Sequence, residues 1–584
     1  MSAPPPDPGS LAELQRTWEG HWESALAAWS RYTQLSLPRW CLTVKDEQRE
    51  QLTGSFAMIR FADHAVVIGL RQVREAGVEP FAREILAHEV GHHVYVPGDL
   101  RDQARLLARL RHALPTREGY AAFVANLYAD LLVNDRLQRS AGLDMASVYR
   151  ALRRPTKDRL WALYLQIYER LWALPRGTLV EFEEDAQLAL DADLGARVIR
   201  AYARDWLRGA GRFGTLLLTY LLELDPTPPG GAIWLDTTLA GEGEEIPDGL
   251  AALDEDEEGE DIHPAEDPEL TGLSSSKPAP PTDAQRAQQG GQKHRYRDPQ
   301  SYVELMQSLG VKVTEKQLVA RYYREQALPH LVPFPARVTR PDADPIPEGL
   351  EAWDLGSPLA RVDWPGTLTR SPVVIPGLTM LERAEGVAEG GEPRRVPVDL
   401  YLGIDCSGSM QNPARSLSYP VLAGAVMALS ALRTGARVMA CLSGEPGSFT
   451  QTEGFVRSER QVLSVLTDYL GTGYAFGIER LRATFLDAPP PRNPVHILVV
   501  SDGDLFHMLK ELRGGWDLAR EAAARAGGGA TAALQLNPSQ WTEDLSRLRA
   551  AGWAIHPVRT MEELVAFARA FSRARYGAGA EVRA

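Results

Sequence analysis

Glu84-Ile85-Leu86-Ala87-His88-Glu89-Val90-Gly91-His92-His93 decides how the N-terminal part of this 584-residue chain is read. On a helix, His88 and His92 are four residues apart and lie one turn above each other on one face. Two neutral imidazoles so placed can share a divalent ion, and zinc is the usual occupant. Glu89 sits about 100° round the helix, outside the ligand pair but within reach of a water on the metal. Zinc draws the pKa of such a water toward ~7, and a carboxylate beside it can take the proton as the water attacks a carbonyl. His88 and His92 are therefore expected to be zinc ligands, with Glu89 as general base.

The third ligand is expected from Asn126-Leu127-Tyr128-Ala129-Asp130-Leu131-Leu132-Val133-Asn134-Asp135. Asn126, Asp130 and Asn134 recur every four residues and draw one polar stripe along an otherwise apolar helix. A buried polar stripe needs partners, and a metal with its supporting hydrogen bonds provides them. Asp130 is the expected ligand, with Asn126, Asn134 and His93 orienting the ligands. Asp135, Glu118 and His93 are the alternatives to Asp130. Bonding of the stripe to a neighbouring helix would account for the same pattern without a metal.

The surrounding pattern is mixed and then helical. Leu11, Leu14, Trp18, Trp22 and Leu26 predict a helix over Leu11–Leu35. Strands are expected at Trp40–Val44, Phe56–Phe61 and Ala65–Ile68, the last two as a hairpin. A helix is expected from about Glu79 to Val94, stopped by Pro97-Gly98. Leu100 to Leu224 reads as helical almost throughout, and its aromatic run from Trp161 to Trp172 reads as core packing.

Charge is unevenly spread. The chain has 63 basic and 77 acidic residues, a net charge of −14. Glu242 to Glu269 alone holds 14 Asp or Glu and no Lys or Arg, which leaves 63 against 63 elsewhere. No basic face is implied, so nucleic-acid binding is not expected. The acidic stretch and the Pro/Ser/Gln-rich residues after it predict a disordered linker. Three scattered cysteines, Cys41, Cys406 and Cys441, make no disulfide framework. The start, Met1-Ser2-Ala3-Pro4-Pro5-Pro6, lacks the basic and apolar segments of a signal peptide. No apolar run approaches the ~20 residues of a membrane span. A cytoplasmic location without membrane contact is the expectation.

Tyr302 to Gln326 again reads as helix, and Pro329 to Pro376 as an extended Pro- and Trp-rich segment. From Val396 strands and helices alternate. Strands are expected at Val398–Ile404, Ala436–Leu442, Val495–Val500, Thr531–Leu536 and Trp553–Val558. Helices are expected at Leu417–Arg433, Glu459–Leu470, Tyr474–Phe485, Met508–Ala526 and Thr542–Ala551, with a last one from Met561. Val495-His496-Ile497-Leu498-Val499-Val500 is apolar enough to be buried on both faces, and the alternation predicts a mainly parallel sheet covered by helices.

Leu402-Gly403-Ile404-Asp405-Cys406-Ser407-Gly408-Ser409-Met410 places a carboxylate and hydroxyls at the C-terminal end of the first strand, where such sheets bind ligands. Gly471-Thr472-Gly473 precedes a helix, and Ser501-Asp502-Gly503-Asp504 ends another strand. Together these segments resemble the von Willebrand factor type A domain and its metal-ion-dependent adhesion site, over about Pro393 to Arg575. The resemblance implies that Asp405, Ser407, Ser409, Thr472 and Asp502 bind Mg²⁺ directly or through water, and that a partner's carboxylate completes the shell. Thr467 is the alternative to Thr472.

The His-Glu-x-x-His stretch is similar to that of zinc peptidases, which commonly set a strand beside this helix to pair with an extended peptide. The combination resembles bacterial and archaeal metallopeptidase-like proteins with a type A-like domain, and intracellular type A proteins that work with MoxR-type AAA+ ATPases. The chain has no Gly-x-x-x-x-Gly-Lys-Ser/Thr sequence, so any ATPase would be a partner. The expected fold is multidomain. A mainly α, zincin-like metallopeptidase domain with a small β-sheet spans 1–240, and an acidic disordered linker 241–300. A helical and Pro-rich connecting segment spans 301–392, and an α/β Rossmann-like type A domain, a parallel sheet flanked by helices, 393–575. The implied function is a zinc-dependent peptidase acting on a peptide or protein, coupled to Mg²⁺-dependent protein binding. The alternative is a non-enzymatic type A adaptor with a structural or vestigial zinc.

Overall fold

Val66, Val67 and Ile68 are β-branched, bounded by the turn before Ala65 and by Gly69, and they form the middle strand of a small N-terminal sheet. In the computed structural model its strands are β1 (Arg39–Cys41), β2 (Ala57–Arg60) and β3 (Ala65–Gly69), in the order β1-β3-β2. β3 is parallel to β1 and antiparallel to β2, with Ile59 opposite Val66. β2 is thus an edge strand. The structure describes residues 8–52, 55–61, 63–153, 155–183, 185–225, 249–253, 262–271, 297–332, 336–339, 345–387, 394–408, 410–444, 447–473, 476–558, 560, 563–564, 566–568 and 571.

Helices α1 (Pro8–Gly20), α2 (Trp22–Ala27), α3 (Val44–Arg49), α4 (Leu70–Ala76) and α5 (Ala82–Val94) surround this sheet in sequence. The helix expected over Leu11–Leu35 ends early, at Ala27. Trp29 leaves the helical path and its indole Nε1 donates to the carbonyl of Ala87 on α5, at 2.7 Å. Val44 starts α3 instead of ending a strand, because Thr43 and Asp46 form a reciprocal capping box there.

The helical region resolves into α6 (Leu100–Ala113), α7 (Ala121–Ser140), α8 (Met145–Ala151), α9 (Arg159–Leu171), α10 (Ala186–Ala201) and α11 (Trp206–Leu222). Side-chain caps start most of them: Asp99, Asp144, Asp158 and Asp185 each accept a backbone N–H in the first turn. α7 is buried almost all round, including Asn126, Asp130, Asn134 and Asp135.

Part of the acidic stretch expected to be a disordered tether is folded. Asp267 is buried, accepts from Arg212 Nε at 3.0 Å and from the Tyr202 hydroxyl at 2.5 Å, and so ties residues 262–271 to α10 and α11. Charge density alone misreads this segment, because one carboxylate found a buried cation. The remaining acidic residues Glu242 to Asp248 and Asp254 to Asp261 lie outside the described residues.

The chain divides into two compact units. The first takes Met1–Gln326 with Ala414–Leu417, the second Ala327–Pro413 with Ser418–Ala584. Residues 301–392, expected as one connecting segment, are therefore shared between them. The stretch expected to be extended carries secondary structure: β4 (Ala336–Thr339), β5 (Pro345–Ala352), a short helix Trp364–Arg370, β6 (Leu381–Val387) and β7 (Arg394–Pro397). β4 pairs with β7 and β5 with β6, both antiparallel.

The second unit centres on a six-stranded sheet of β8 (Asp399–Asp405), β9 (Val438–Ser443), β10 (Phe449–Gln451), β11 (Val495–Asp502), β12 (Gly527–Gln535) and β13 (Trp553–Val558). The order is β10-β9-β8-β11-β12-β13, parallel throughout except for the antiparallel edge β10. Sequence patterning missed β10, which is only three residues long. Side chains alternate across β8: Leu402 and Ile404 lie under Gly424 of helix Tyr419–Arg433, while Gly403 faces Phe476 on the other side. Helices thus cover both faces, the α/β arrangement expected. The helix expected over Met508–Ala526 is broken in two, Leu505–Glu511 and Gly515–Ala526, because Gly514 adopts φ +77°. That expected over Tyr474–Phe485 is reduced to Glu479–Leu481 and one π turn, Arg482–Leu486. Among the described residues no helix is long and apolar enough to cross a membrane.

The Asp267–Arg212 pair makes a direct test of the folded acidic segment. Asp267→Ala removes the carboxylate that Arg212 and Tyr202 share and should cost roughly 3–5 kcal/mol. Urea unfolding measures the loss, and limited proteolysis should newly cut within residues 262–271. An unchanged midpoint and an unchanged digest would show that the segment is not held by this pair.

Candidate functional site

Gly91 lets α5 and α7 come together. A Cβ there would lie 2.5 Å from Trp29 Cζ2 and 2.5 Å from Val133 Cγ1 on α7, so no larger residue fits without moving a helix. This close approach brings His88 and His92 of α5 against Asp130 of α7. His92 Nε2 lies 3.1 Å from His88 Nε2 and 3.3 Å from Asp130 Oδ1, and His88 Nε2 lies 3.7 Å from that oxygen. All three residues are buried, and together they can hold a metal ion.

Hydrogen bonding settles the tautomers. His92 Nδ1 faces the carbonyl of Val96 at 3.0 Å, which only accepts, so Nδ1 carries the proton. His88 Nδ1 faces Asn134 Oδ1 at 2.7 Å. The Asn134 amide nitrogen donates to the hydroxyls of Tyr149 and Tyr168, at 3.1 and 2.9 Å, which fixes its oxygen toward His88. In the neutral rings both Nε2 atoms therefore present lone pairs to each other and to a carboxylate oxygen. A proton or a metal ion held among these three atoms would satisfy them. A tetrahedral ion with bonds of about 2.0–2.1 Å has ligand–ligand edges of about 3.3 Å, close to the 3.1–3.7 Å found. The donor set fits a divalent ion.

The surroundings hold these ligands still. Asn126 Nδ2 donates to Asp130 Oδ2 at 3.2 Å. The hydroxyls of Tyr149, Tyr164 and Tyr168 form a triangle with edges of 3.0–3.2 Å behind Asn134. Burial holds the Tyr164 and Tyr168 hydroxyls well above the usual phenol range, so they stay protonated. Reading the aromatic run as core packing missed this second role. The signal available was two tyrosines in that run, Tyr164 and Tyr168, not phenylalanines, at positions that become buried, and buried hydroxyls need partners.

Glu89 is 1% exposed and lines a cavity of about 20 Å³ together with His88, Asn134 and, from α8, Met145, Val148 and Tyr149. That is room for about one water. His93, expected to orient a ligand, turns instead to His64, with ring centroids 4.5 Å apart, and burial lowers its pKa. Of the alternative ligands, Asp135 is paired with Arg139, and Glu118 is exposed and accepts from Thr116 N.

A second cluster sits at the C-terminal ends of β8 and β11. Asp405 Oδ1 accepts from Ser407 N at 2.9 Å and Oδ2 from the Ser501 hydroxyl at 2.7 Å. Ser407 and Thr472 are joined by a β-bridge, and Gly408 N donates to Thr472 O at 2.6 Å. Gly444 permits the tight fit of Thr472, since a Cβ there would lie 1.8 Å from its Oγ1. The negative charge of Asp502 acts on Asp405. Asp405, Ser407, Thr472 and Asp502 are thus brought to one end of the sheet, while Ser409 lies outside the described residues. Thr467 does not join them; its hydroxyl donates to Leu463 O within its own helix. Ser501 is a member that the sequence reading left out. Cys406 accepts from Leu470 N through sulfur, and burial raises its thiol pKa. It is a structural residue.

Burial pushes the Asp405 carboxyl up to about 6, and among the described residues no Lys, Arg or His forms an ion pair with it. A carboxylate left in this state favours any cation that can reach it.

Two outcomes test these sites. Asn134→Ala frees the His88 ring and should weaken metal binding roughly 10–100-fold, measured by chelator competition; equal affinity would remove the orienting role. For Asp405, the folded pKa lies above the ordinary value of 3.8. The metal-free protein should therefore lose stability as pH rises from about 4 through about 6, by on the order of 3 kcal/mol. Asp405→Asn should raise the melting temperature in EDTA at pH 8 and flatten this dependence, and a variant melting no higher than the parent would contradict the buried, unpaired charge. The chain's sequence matches no protein-family model and no curated protein, so the chemistry of both sites stands on their geometry.

Proposed function

We propose that the chain is a zinc-dependent peptidase joined to a Mg²⁺-binding type A domain that docks a protein partner. The observation that carries the first part is the triangle of His88 Nε2, His92 Nε2 and Asp130 Oδ1, with Glu89 on the next helical position and a water-sized cavity beside it. His88, His92 and Asp130 would hold the zinc, which when bound supplies Lewis acidity toward a water and a carbonyl.

The chain's own residues supply the rest. Glu89, desolvated against the cavity, takes the proton of the attacking water and returns it to the leaving amine. Asn134 and Val96 keep the His88 and His92 Nδ1 atoms protonated, so that Nε2 stays the donor atom. Tyr149 lines the same cavity, and its hydroxyl accepts from Asn134 Nδ2 and donates to the Tyr168 hydroxyl, which keeps Asn134 turned toward His88. β2, an edge strand among the described strands and in contact with α5, is the strand on which an extended peptide would pair in this reading. A cavity of about 20 Å³ admits no side chain, so substrate entry in this reading requires α8 to move aside.

That same closure favours a second reading, in which the zinc is structural and the chain is an adaptor. The enzyme reading rests on Glu89, which a structural site has no need of.

For the second part, Asp405, Ser407, Thr472 and Asp502 gather hard oxygen donors at the strand ends, as Mg²⁺ requires. A partner's acidic side chain would complete the shell, and the resemblance to intracellular type A proteins makes a MoxR-type AAA+ ATPase in the cytoplasm the proposed partner.

Glu89→Gln separates the readings. Metal content by mass spectrometry should remain one zinc per chain, while cleavage of a protein substrate of the parent should fall by at least about 10²-fold. His88→Ala should lose the zinc. Undiminished cleavage by Glu89→Gln would remove Glu89 as base.

A further inference from the structure

The second unit has a cavity that neither metal reading uses. It encloses about 200 Å³ between residues 443–444 and 447–449, the start of helix Glu479–Leu481 and the end of helix Leu505–Glu511. Phe449, Ile478, Met508 and Leu512 give it apolar walls. Arg480 belongs to the wall as well. Its guanidinium lies 3.8 Å over the Phe449 ring and donates to Gln451 at 2.8 Å, so it serves as a flat floor. Glu479 and Glu511 stand exposed among the lining residues, and neither forms an ion pair among the described residues.

Position gives the cavity its meaning. Ser443, in its wall, is the partner of Asp405 across the β8–β9 pair. Gly444, beside it in the wall, is the residue against which Thr472 packs. The cavity therefore shares a wall with the Asp405 cluster, at the strand ends where parallel sheets bind ligands.

We propose that this cavity is an anchor site for one large apolar side chain of a protein partner, within a segment whose flanking residues are basic. The volume suits an aromatic or branched aliphatic group, and burying such a group in a preformed pocket is how interfaces concentrate affinity. The two unpaired carboxylates set the charge of the flanks, by complementarity. The partner surface would then present an acidic residue to Asp405 and a basic-apolar-basic segment to the cavity. That both belong to one partner rests on the type A reading; the cavity's own preference does not.

The test uses the full chain with ¹³C-methyl-labelled Met and Ile, titrated with the blocked tripeptide Ac-Arg-Phe-Arg-NH₂. Saturable shifts of the Met508 and Ile478 methyl signals are expected. Ac-Arg-Ala-Arg-NH₂ and Ac-Glu-Phe-Glu-NH₂ should each bind at least about tenfold more weakly. Glu479→Gln with Glu511→Gln should erase the preference for Arg over Glu flanks while leaving the preference for Phe over Ala. The parent in EDTA should bind the tripeptide as it does with Mg²⁺ present, with Mg²⁺ binding measured separately by calorimetry. Absence of saturable methyl shifts, or equal affinity for Phe and Ala probes, or for Arg and Glu flanks, would overturn the proposal. Tripeptide binding retained where the parent takes up no Mg²⁺ would overturn only the type A reading.

Discussion

Two imidazole nitrogens and a carboxylate oxygen meet inside the first unit within 3.1–3.7 Å of one another. Bulk water does not reach them, because His88, His92 and Asp130 are all buried. Everything near them serves to impose this arrangement. Gly91 removes the side chain that would keep α5 and α7 apart. Val96 and Asn134 hold the ring protons on the far side. The three tyrosine hydroxyls hold Asn134 in turn. A chain of hydrogen bonds thus ends in a buried group, His88, His92 and Asp130, that could hold a metal ion.

The Asp405 cluster reaches the same end by different means. There the carboxylate is set by the sheet: Asp405 ends β8, and Ser501 and Asp502 end the adjacent β11. Two hydrogen bonds hold Asp405 in place, and burial lifts its pKa. Ser407, Ser501 and Thr472, with the carboxylate of Asp502, complete the cluster. One site is a buried group of nitrogen and oxygen donors, the other a set of oxygens at the strand ends.

Where pattern was strong, it carried through to structure. The period-four stripe Asn126-Asp130-Asn134 became one face of α7 turned to α5, and Trp553–Val558 became β13 with those same ends. Where a single distant contact decided, pattern failed. Trp29 left its helix for the Ala87 carbonyl, Gly514 split a helix that composition ran through, and Asp267 folded a segment that its charge marked as tether. Tyr164 and Tyr168 read as apolar bulk because a hydroxyl's use depends on what lies opposite, and the sequence does not list opposites.

Local spacing by itself determined which atoms could act together along one element: His88 with His92 one turn on, Asn126 with Asp130, Asp405 with the turn that follows it. These follow from the 3.6-residue and two-residue periods, which need no knowledge of the fold. Tertiary structure alone decided that α5 and α7 approach closely enough for Asp130 to face both histidines, that each imidazole keeps its proton on Nδ1, and that a pocket opens beside Asp405 behind Gly444. Each of these depends on what packs across a gap of 3–4 Å between segments far apart in the chain, and that distance is set by whole-unit packing rather than by any stretch of residues.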